Sequence, residues 1–179
     1  MDFAILYAIQ NIHNPVLDQL ILALTHIMGS YGQIWLVVGV LLCFPKKTRG
    51  CGVAVLVSYV LVFVVGQFGL KDLIARARPC QIDQTVELLV KRPSSYSCPS
   101  THTAWAFAAA TSIFLYFKKP GIGVLIVAAV IGFSRLYLFV HFPTDVLFGA
   151  VMGIVLAFVT VKVQQPVMTQ VHAKKSKNQ

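Results

Sequence analysis

Long apolar runs alternate with short polar interruptions along this chain, and the runs have the length of helices that cross a bilayer. Cys51 to Gly69 is the clearest, and its helix is expected to continue through Lys71 to about Ala75. Thr103 to Phe117, Gly121 to Val140 and Val146 to Val161 predict three more spans, the first two joined by Lys118-Lys119-Pro120. Pro15 to Phe44 is less even, because Asp18, Gln19, His26 and the Gly29-Ser30-Tyr31-Gly32 stretch interrupt it. It reads as one long span or as a tight pair, and one span is the expectation. Residues 1–14 predict a short helix lying along the interface, and Arg76 to Cys98 a polar loop. The fold class is all-α, a polytopic transmembrane helical bundle of five or six spans. It forms one domain over residues 1–166, followed at 167–179 by a basic cytoplasmic tail that is disordered or rests on anionic lipid.

Composition removes the soluble alternatives. Of 179 residues, 57% are hydrophobic and 12% charged, with a mean hydropathy of +0.75, and a soluble domain carries about twice that charged share. The formal charge of +9 forms no stripe, so nucleic acid is not an expected partner. Its placement is more informative. Lys46, Lys47, Arg49, Lys118, Lys119, Lys162, Lys174, Lys175 and Lys177 fall in two short loops and the tail, which the positive-inside rule assigns to the cytoplasm. Lys71, Arg76, Arg78, Lys91, Arg92 and Arg135 then share the outer side with Asp72, Asp83, Glu87 and Asp145. No Lys or Arg precedes Lys46, so the amino terminus is expected outside, and without a basic n-region or an Ala-x-Ala site no cleavable signal peptide is expected.

Three polar groups break the apolar pattern at the outer ends of the spans. Ser134 to Asp145 sets Arg135, His141 and Asp145 in a stretch otherwise fit for lipid. At about 100° per residue, Ser134, His141 and Asp145 fall within about 20° of one helical face, although Pro143 is expected to break the helix. A carboxylate on one imidazole nitrogen fixes the tautomer and leaves the other lone pair aimed outward, as a nucleophilic histidine requires. Lys71 and Arg78 stand two turns apart, on one face until Pro79 stops the helix. Snorkelling to the interface is the plain reading of Lys71 and accounts for Arg76 as well. Cys98-Pro99-Ser100-Thr101-His102-Thr103 opens an apolar helix, so the N–H groups of Ser100 and Thr101 are expected free for an anion, with simple capping as the alternative. The topology puts all three groups on one membrane face. Three cations, a helix amino terminus, two histidines and a carboxylate make a site for a phosphate and for attack upon it.

Lys71-x6-Arg78-Pro79, then Pro99-Ser100-Thr101-His102, then Ser134-Arg135-x5-His141-x3-Asp145 resemble the three-part signature of the type 2 phosphatidic acid phosphatase family. The resemblance implies a membrane bundle with the core of the vanadium haloperoxidases and a metal-independent phosphatase acting through a phosphohistidine, with no cofactor. It implies His141 as nucleophile, Asp145 as its orienting carboxylate and His102 as general acid. Lys71, Arg78, Ser100, Thr101 and Arg135 become the phosphate-binding residues. Where the family usually has glycine, this chain has Thr101, whose Cβ restricts φ and crowds the phosphate. Bacterial undecaprenyl-diphosphatase members are similar in that departure, in size and in a stretch like Asn14-Pro-Val-Leu-Asp18. The expected partners are the bilayer and a lipid phosphate or diphosphate, most of all undecaprenyl diphosphate, met on the extracytoplasmic face of the cell membrane. Phosphatidylglycerophosphate or phosphatidic acid is the second choice, and an anion transporter the rival of another class. Opposite roles for the two histidines, one neutral and one protonated, predict a bell-shaped pH dependence.

Two further expectations concern the loop between the phosphate motifs. Cys80 and Cys98 bracket it, and in an oxidising compartment a disulfide there would close a loop of about twenty residues, worth roughly 3 kcal/mol in the chain-entropy model. Lys91 and Arg92 read as a solvated pair or as a grip for a second phosphate. Cys43 and Cys51 read as packing residues, and no metal site is expected from four such scattered thiols.

Overall fold

The computed structural model describes the backbone of residues 2–177 and the side chains of residues 2–165. Helices account for all of its regular structure, and no strand occurs among the described residues. They are α1 (Asp2–Gln10), α2 (Pro15–Met28), α3 (Ile34–Cys43), α4 (Arg49–Val62), α5 (Lys71–Ile74), α6 (Pro79–Ile82), α7 (Thr101–Tyr116), α8 (Lys118–Tyr137) and α9 (Pro143–Lys177), with a π-helical segment, Phe63–Leu70, joining α4 to α5. Among the described residues, three stretches are long and apolar enough to cross a membrane: Arg49–Ile82, Lys118–Tyr137 and Pro143–Gln165. α2 and α3 are apolar but shorter. The helix of α9 continues past residue 166, and the side chains of the expected 167–179 tail lie outside the described residues.

α7 is the centre of the bundle, packed against α4, α8 and α9, while α3 lies against α4. Small residues allow the closest of these approaches. Gly153 of α9 sits against the Ala104 carbonyl and the Ala108 amide, and Gly149 against the Ser100 carbonyl, so a Cβ at either position has no space. A small-xxx-small face of this kind lets two helix backbones meet. Here it brings the first turn of α9 onto the first turn of α7, where the Ser100 amide donates to the Asp145 carbonyl at 3.1 Å.

Among the described residues, apolar side chains gather in two clusters. The larger joins Met28, Trp35, Val55, Val62, Trp105, Ile131 and Met152 with their neighbours, and Leu70 packs on it. The smaller holds Leu6, Ile21, Cys80 and Tyr137 through Val140 with Phe142. The candidate site residues come from the chain between these two clusters: Lys71 follows Leu70, Arg78 precedes Cys80, and His141 stands between Val140 and Phe142. The amino-terminal helices are tied to the same place. Gln10 and His13 both reach the Tyr137 carbonyl at 3.1 Å, the His13 ring stacks on Tyr137 at 3.9 Å, and the Tyr137 hydroxyl donates to Asp18 at 2.5 Å.

Several local expectations are corrected. Residues 15–44 are not one helix; α2 and α3 are separate, and Gly29 and Gly32 between them take φ of 67° and 64°. Gly32 lies against the Trp105 ring, which fixes the break to α7. Lys118-Lys119-Pro120 is not a loop, since α8 begins at Lys118 and Phe117 alone makes the corner. Pro79 does not stop the Lys71 helix. That helix ends at Ile74 with Ala75 left-handed at φ 48°, and Pro79 opens α6, where its fixed φ and missing N–H suit a first turn. α8 ends at Tyr137 rather than Val140. Its end is a Schellman arrangement, with Phe139 donating to the Leu136 carbonyl and Val140 to the Arg135 carbonyl, and with Phe139 left-handed at φ 56°. His141 therefore sits in a turn and shares no helical face with Ser134 and Asp145.

The α7–α9 contact yields a stability prediction. Gly153→Ala is expected to lower the unfolding midpoint in detergent, with an overpacking penalty of about 1–3 kcal/mol. Gly123→Ala, where no atom lies within 4 Å of the added methyl, is expected to leave it unchanged. Equal midpoints for the two variants would show that the close approach is not built into the fold.

Candidate active site

Arg78 is the most tightly held of the candidate residues. It is 4% exposed, and all five donors of its fork are engaged. Nε donates to the Ser95 carbonyl at 2.7 Å, and Nη1 to the Val140 carbonyl at 2.8 Å and to His141 Nε2 at 3.1 Å. Nη2 donates to Ser95 Oγ at 3.0 Å and to the Tyr96 carbonyl at 3.1 Å. The guanidinium thus fastens the segment before α7 to the turn that carries His141.

Because His141 Nε2 accepts from Arg78, its proton belongs on Nδ1, which is buried without a hydrogen-bond partner. Asp145 Oδ2 is the carboxylate atom that faces it, 3.9 Å away, too long for a hydrogen bond. His141 lies between α8 and α9, and burial is the main cause that pushes its imidazole down to about 3. Asp145 pulls the other way, while the Arg78 and Lys71 charges add to the effect of burial. The ring is neutral at physiological pH, with its Nε2 lone pair directed at a cation.

Asp145 is wholly buried in the first turn of α9. Its Oδ1 accepts from Arg76 Nη1 at 2.6 Å, and its Oδ2 accepts from the Phe142 amide at 2.9 Å and from the Ser97 hydroxyl. Lys71, 5% exposed, donates to Gln67 Oε1 at 3.0 Å and lies 3.5 Å from Thr101 Oγ1, which donates to Gln67 at 3.2 Å. Arg135, 4% exposed, donates to Ser134 Oγ at 3.1 and 2.9 Å and to Thr25 Oγ1 at 2.8 Å. His102 donates from Nε2 to the Gly29 carbonyl at 3.0 Å and stands edge-on to Trp105. Arg135, Lys71 and Arg78 lie within electrostatic reach of His102, as Arg78 and Lys71 do of His141. The three motifs therefore meet.

The charge balance of this cluster is one-sided. Among the described residues, no carboxylate lies within ion-pair distance of Lys71, Arg78 or Arg135, and Asp145 is paired with Arg76 instead. Three buried cations without counter-ions, beside the first-turn amides of α7, make a strongly anion-seeking cluster.

Some expectations about these groups do not hold. The Ser100 amide is not free for an anion, because the Asp145 carbonyl takes it, and the Ser100 hydroxyl pairs with Thr103 at 2.9 Å. Cys80 and Cys98 form no disulfide; both are free thiols. Cys80 packs in the smaller apolar cluster, while Cys98 faces the Asp145 carboxylate, and burial followed by that carboxylate pushes its thiol up to about 11. Lys91 and Arg92 are exposed and make no hydrogen bond or ion pair to a site residue among the described residues. The structure also adds residues outside the expected site: Gln67, Arg76, Ser97, Thr25, Asp2 and the Gly29 carbonyl. Gln67 had a visible signal, a lone amide in an apolar run four residues before Lys71. Arg76 is no snorkelling side chain but the ion-pair partner of Asp145.

Fold and site together define an all-helical membrane protein with a cluster of buried cations between its helix ends. The chain belongs to the PAP2 superfamily, whose family model matches residues 51–168. It is 31% identical over 140 residues to an undecaprenyl-diphosphatase of Sulfolobus acidocaldarius, covering 76% of this chain and 68% of the relative. It is 28% identical over 163 residues to undecaprenyl-diphosphatase BcrC of Bacillus subtilis, covering 88% and 81%. Among solved structures, the transmembrane PAP2-type phosphatidylglycerolphosphate phosphatase of Bacillus subtilis superposes with a TM-score of 0.72 at 30% identity, covering 93% of this chain and 85% of that one. The protein is a phosphatase of this hydrolase family.

Lys71 owes its position to Gln67, so Gln67→Leu is expected to raise KM for a phosphate substrate roughly tenfold, the scale of a hydrogen bond to a charged group, with kcat little changed. Steady-state kinetics on a lipid phosphate in detergent would show it. An unchanged KM would mean that Gln67 does not hold Lys71 for binding.

Proposed function

We propose that the protein removes a phosphate from a membrane lipid diphosphate, undecaprenyl diphosphate above all, through a phosphohistidine on His141. The observation that carries this reading is a neutral imidazole, His141, beside the buried, carboxylate-free cations Arg78 and Lys71, with a third such cation, Arg135, near His102. The two undecaprenyl-diphosphatases among its relatives support the choice of substrate. The resemblance to a phosphatidylglycerolphosphate phosphatase favours that lipid as the second choice.

In the proposed reaction the terminal phosphate enters among Lys71, Arg78, Arg135 and the first-turn amides of α7, displacing Arg78 Nη1 from His141 Nε2. That lone pair attacks phosphorus in line, the bond to the leaving oxygen breaks, and His102 gives the leaving oxygen its proton. Asp145 offsets the positive charge that grows on the imidazole. Water, giving a proton back to His102, then attacks phosphorus and breaks the phosphorus–nitrogen bond, returning neutral His141, protonated His102 and inorganic phosphate. Lys71, Arg135 and the first-turn amides stabilise the charge on the non-bridging oxygens, and Arg78 joins them once Nη1 has left His141. Lys46, Lys47, Arg49, Lys118 and Lys119 occupy the loops and helix starts away from the site, which supports a site opening on the extracytoplasmic face.

Phosphate release by the purified protein, with EDTA present, is expected to be fastest with undecaprenyl diphosphate, slower with phosphatidylglycerophosphate and slowest with phosphatidic acid. His141→Ala is expected to lose at least about 1,000-fold in kcat. A variant with wild-type turnover, or a preference for phosphatidic acid, would overturn the assignment concerned. The pH profile offers a separate check. Neutral His141 is the reactive form and protonates only as pH falls through about 3. The kcat/KM, which reports the free enzyme, is therefore expected not to fall between pH 7 and pH 5. A drop between pH 7 and 5 would contradict it.

A further inference from the structure

We infer that Arg76, which lies within none of the three motif positions, is a positioning residue that aims Asp145 at His141 and makes the amino-terminal helix part of the active site. The inference rests on the proposed roles of His141 and Asp145, and its evidence is geometric.

Arg76 leaves the helix just after the left-handed Ala75, and its carbonyl is pinned by the Ser97 amide at 2.8 Å. Its Nη1 donates to Asp145 Oδ1 at 2.6 Å and to Thr144 Oγ1 at 2.7 Å, and its Nη2 donates to Asp2 Oδ2 at 3.1 Å. Thr144 donates to the same Asp2 oxygen at 2.8 Å, and the Phe142 ring lies 4.1 Å from the guanidinium carbon. A planar fork gripped on several sides has one orientation. It occupies Oδ1, so Oδ2 is the oxygen left facing His141 Nδ1, and Ser97 with the Phe142 amide sets its height.

Without Arg76 the carboxylate would keep only the Ser97 and Phe142 bonds to Oδ2, and its plane would be less firmly set toward the ring. The imidazole gains its positive charge only when Nε2 bonds to phosphorus, so a correctly aimed Oδ2 matters most in that step and little in substrate binding. The buried Nδ1, which has no hydrogen-bond partner, is the atom that would then close on it. Asp2 completes the arrangement from α1. It anchors the second arm of the fork, so docking of α1 against α8 and α9 reaches the carboxylate through a single side chain.

A double-mutant cycle in kcat tests this. Arg76→Met is expected to lower kcat about 10- to 100-fold, the range carried by outer groups that orient a histidine, with KM nearly unchanged. Arg76→Lys is expected to recover part of the loss, and Asp2→Asn to lose less than Arg76→Met. In an Asp145→Asn background the Arg76→Met change is expected to have almost no further effect, because its action runs through that carboxylate. Losses that multiply across the two sites, or a rise in KM without a fall in kcat, would overturn the inference even in an enzyme that hydrolyses lipid phosphates. Absence of turnover in the wild-type protein would instead refute the phosphatase assignment beneath it. Unfolding midpoints of every variant separate a lost fold from a lost aim.

Discussion

Three cations buried without carboxylate partners are the constraint on which this structure depends. An isolated cation at mid-bilayer costs about 2.5 to 3.5 kcal/mol on insertion scales, and burial without a counter-ion is tolerated only where hydrogen bonds satisfy the donors. Arg78 meets that condition completely, Arg135 through two hydroxyls, and Lys71 through an amide and a hydroxyl. All of these acceptors are neutral. They hold the cations in place while leaving their charge uncompensated, so the pocket is prepared for an anion whose charge develops further during phosphoryl transfer.

The helices serve that pocket by fixing where their ends fall. Glycines on α9 and small residues on α7 let two backbones meet, which puts Asp145 beside the start of the helix that carries His102. The break between α2 and α3 presents the Gly29 carbonyl to His102, and α2 supplies Thr25 to Arg135. The Schellman end of α8 turns the chain so that His141 leaves the helix and meets Arg78. Phe139 holds a left-handed conformation next to that histidine, a strain that its full burial against Phe3 and Tyr7 keeps in place.

The bundle and the six charged or histidine positions of the three motifs were legible in the sequence, because apolar run length and motif spacing are local signals. Partnerships were not. Arg76 looks like a residue at the end of a span, since nothing near it in the chain announces Asp145, which lies beyond three whole helices. Gln67 and Thr101 show the same limit: a hydroxyl in place of the family's glycine reads as crowding until the amide that receives it is seen. Pro79 and Pro143 were both read as helix breakers, whereas each opens a helix, α6 and α9, a role set by where the preceding turn delivers the chain. The expected Cys80–Cys98 bridge failed because loop spacing says nothing about which cluster each thiol faces.

Ligand-dependent stability tests most directly whether the uncompensated cations form one anion site. The unfolding midpoint of the detergent-solubilised protein should rise when chloride is replaced by orthovanadate at equal ionic strength, as binding to the folded state alone requires. That rise should vanish in Lys71→Met. Equal midpoints in the two salts, or an undiminished rise in the variant, would contradict the account.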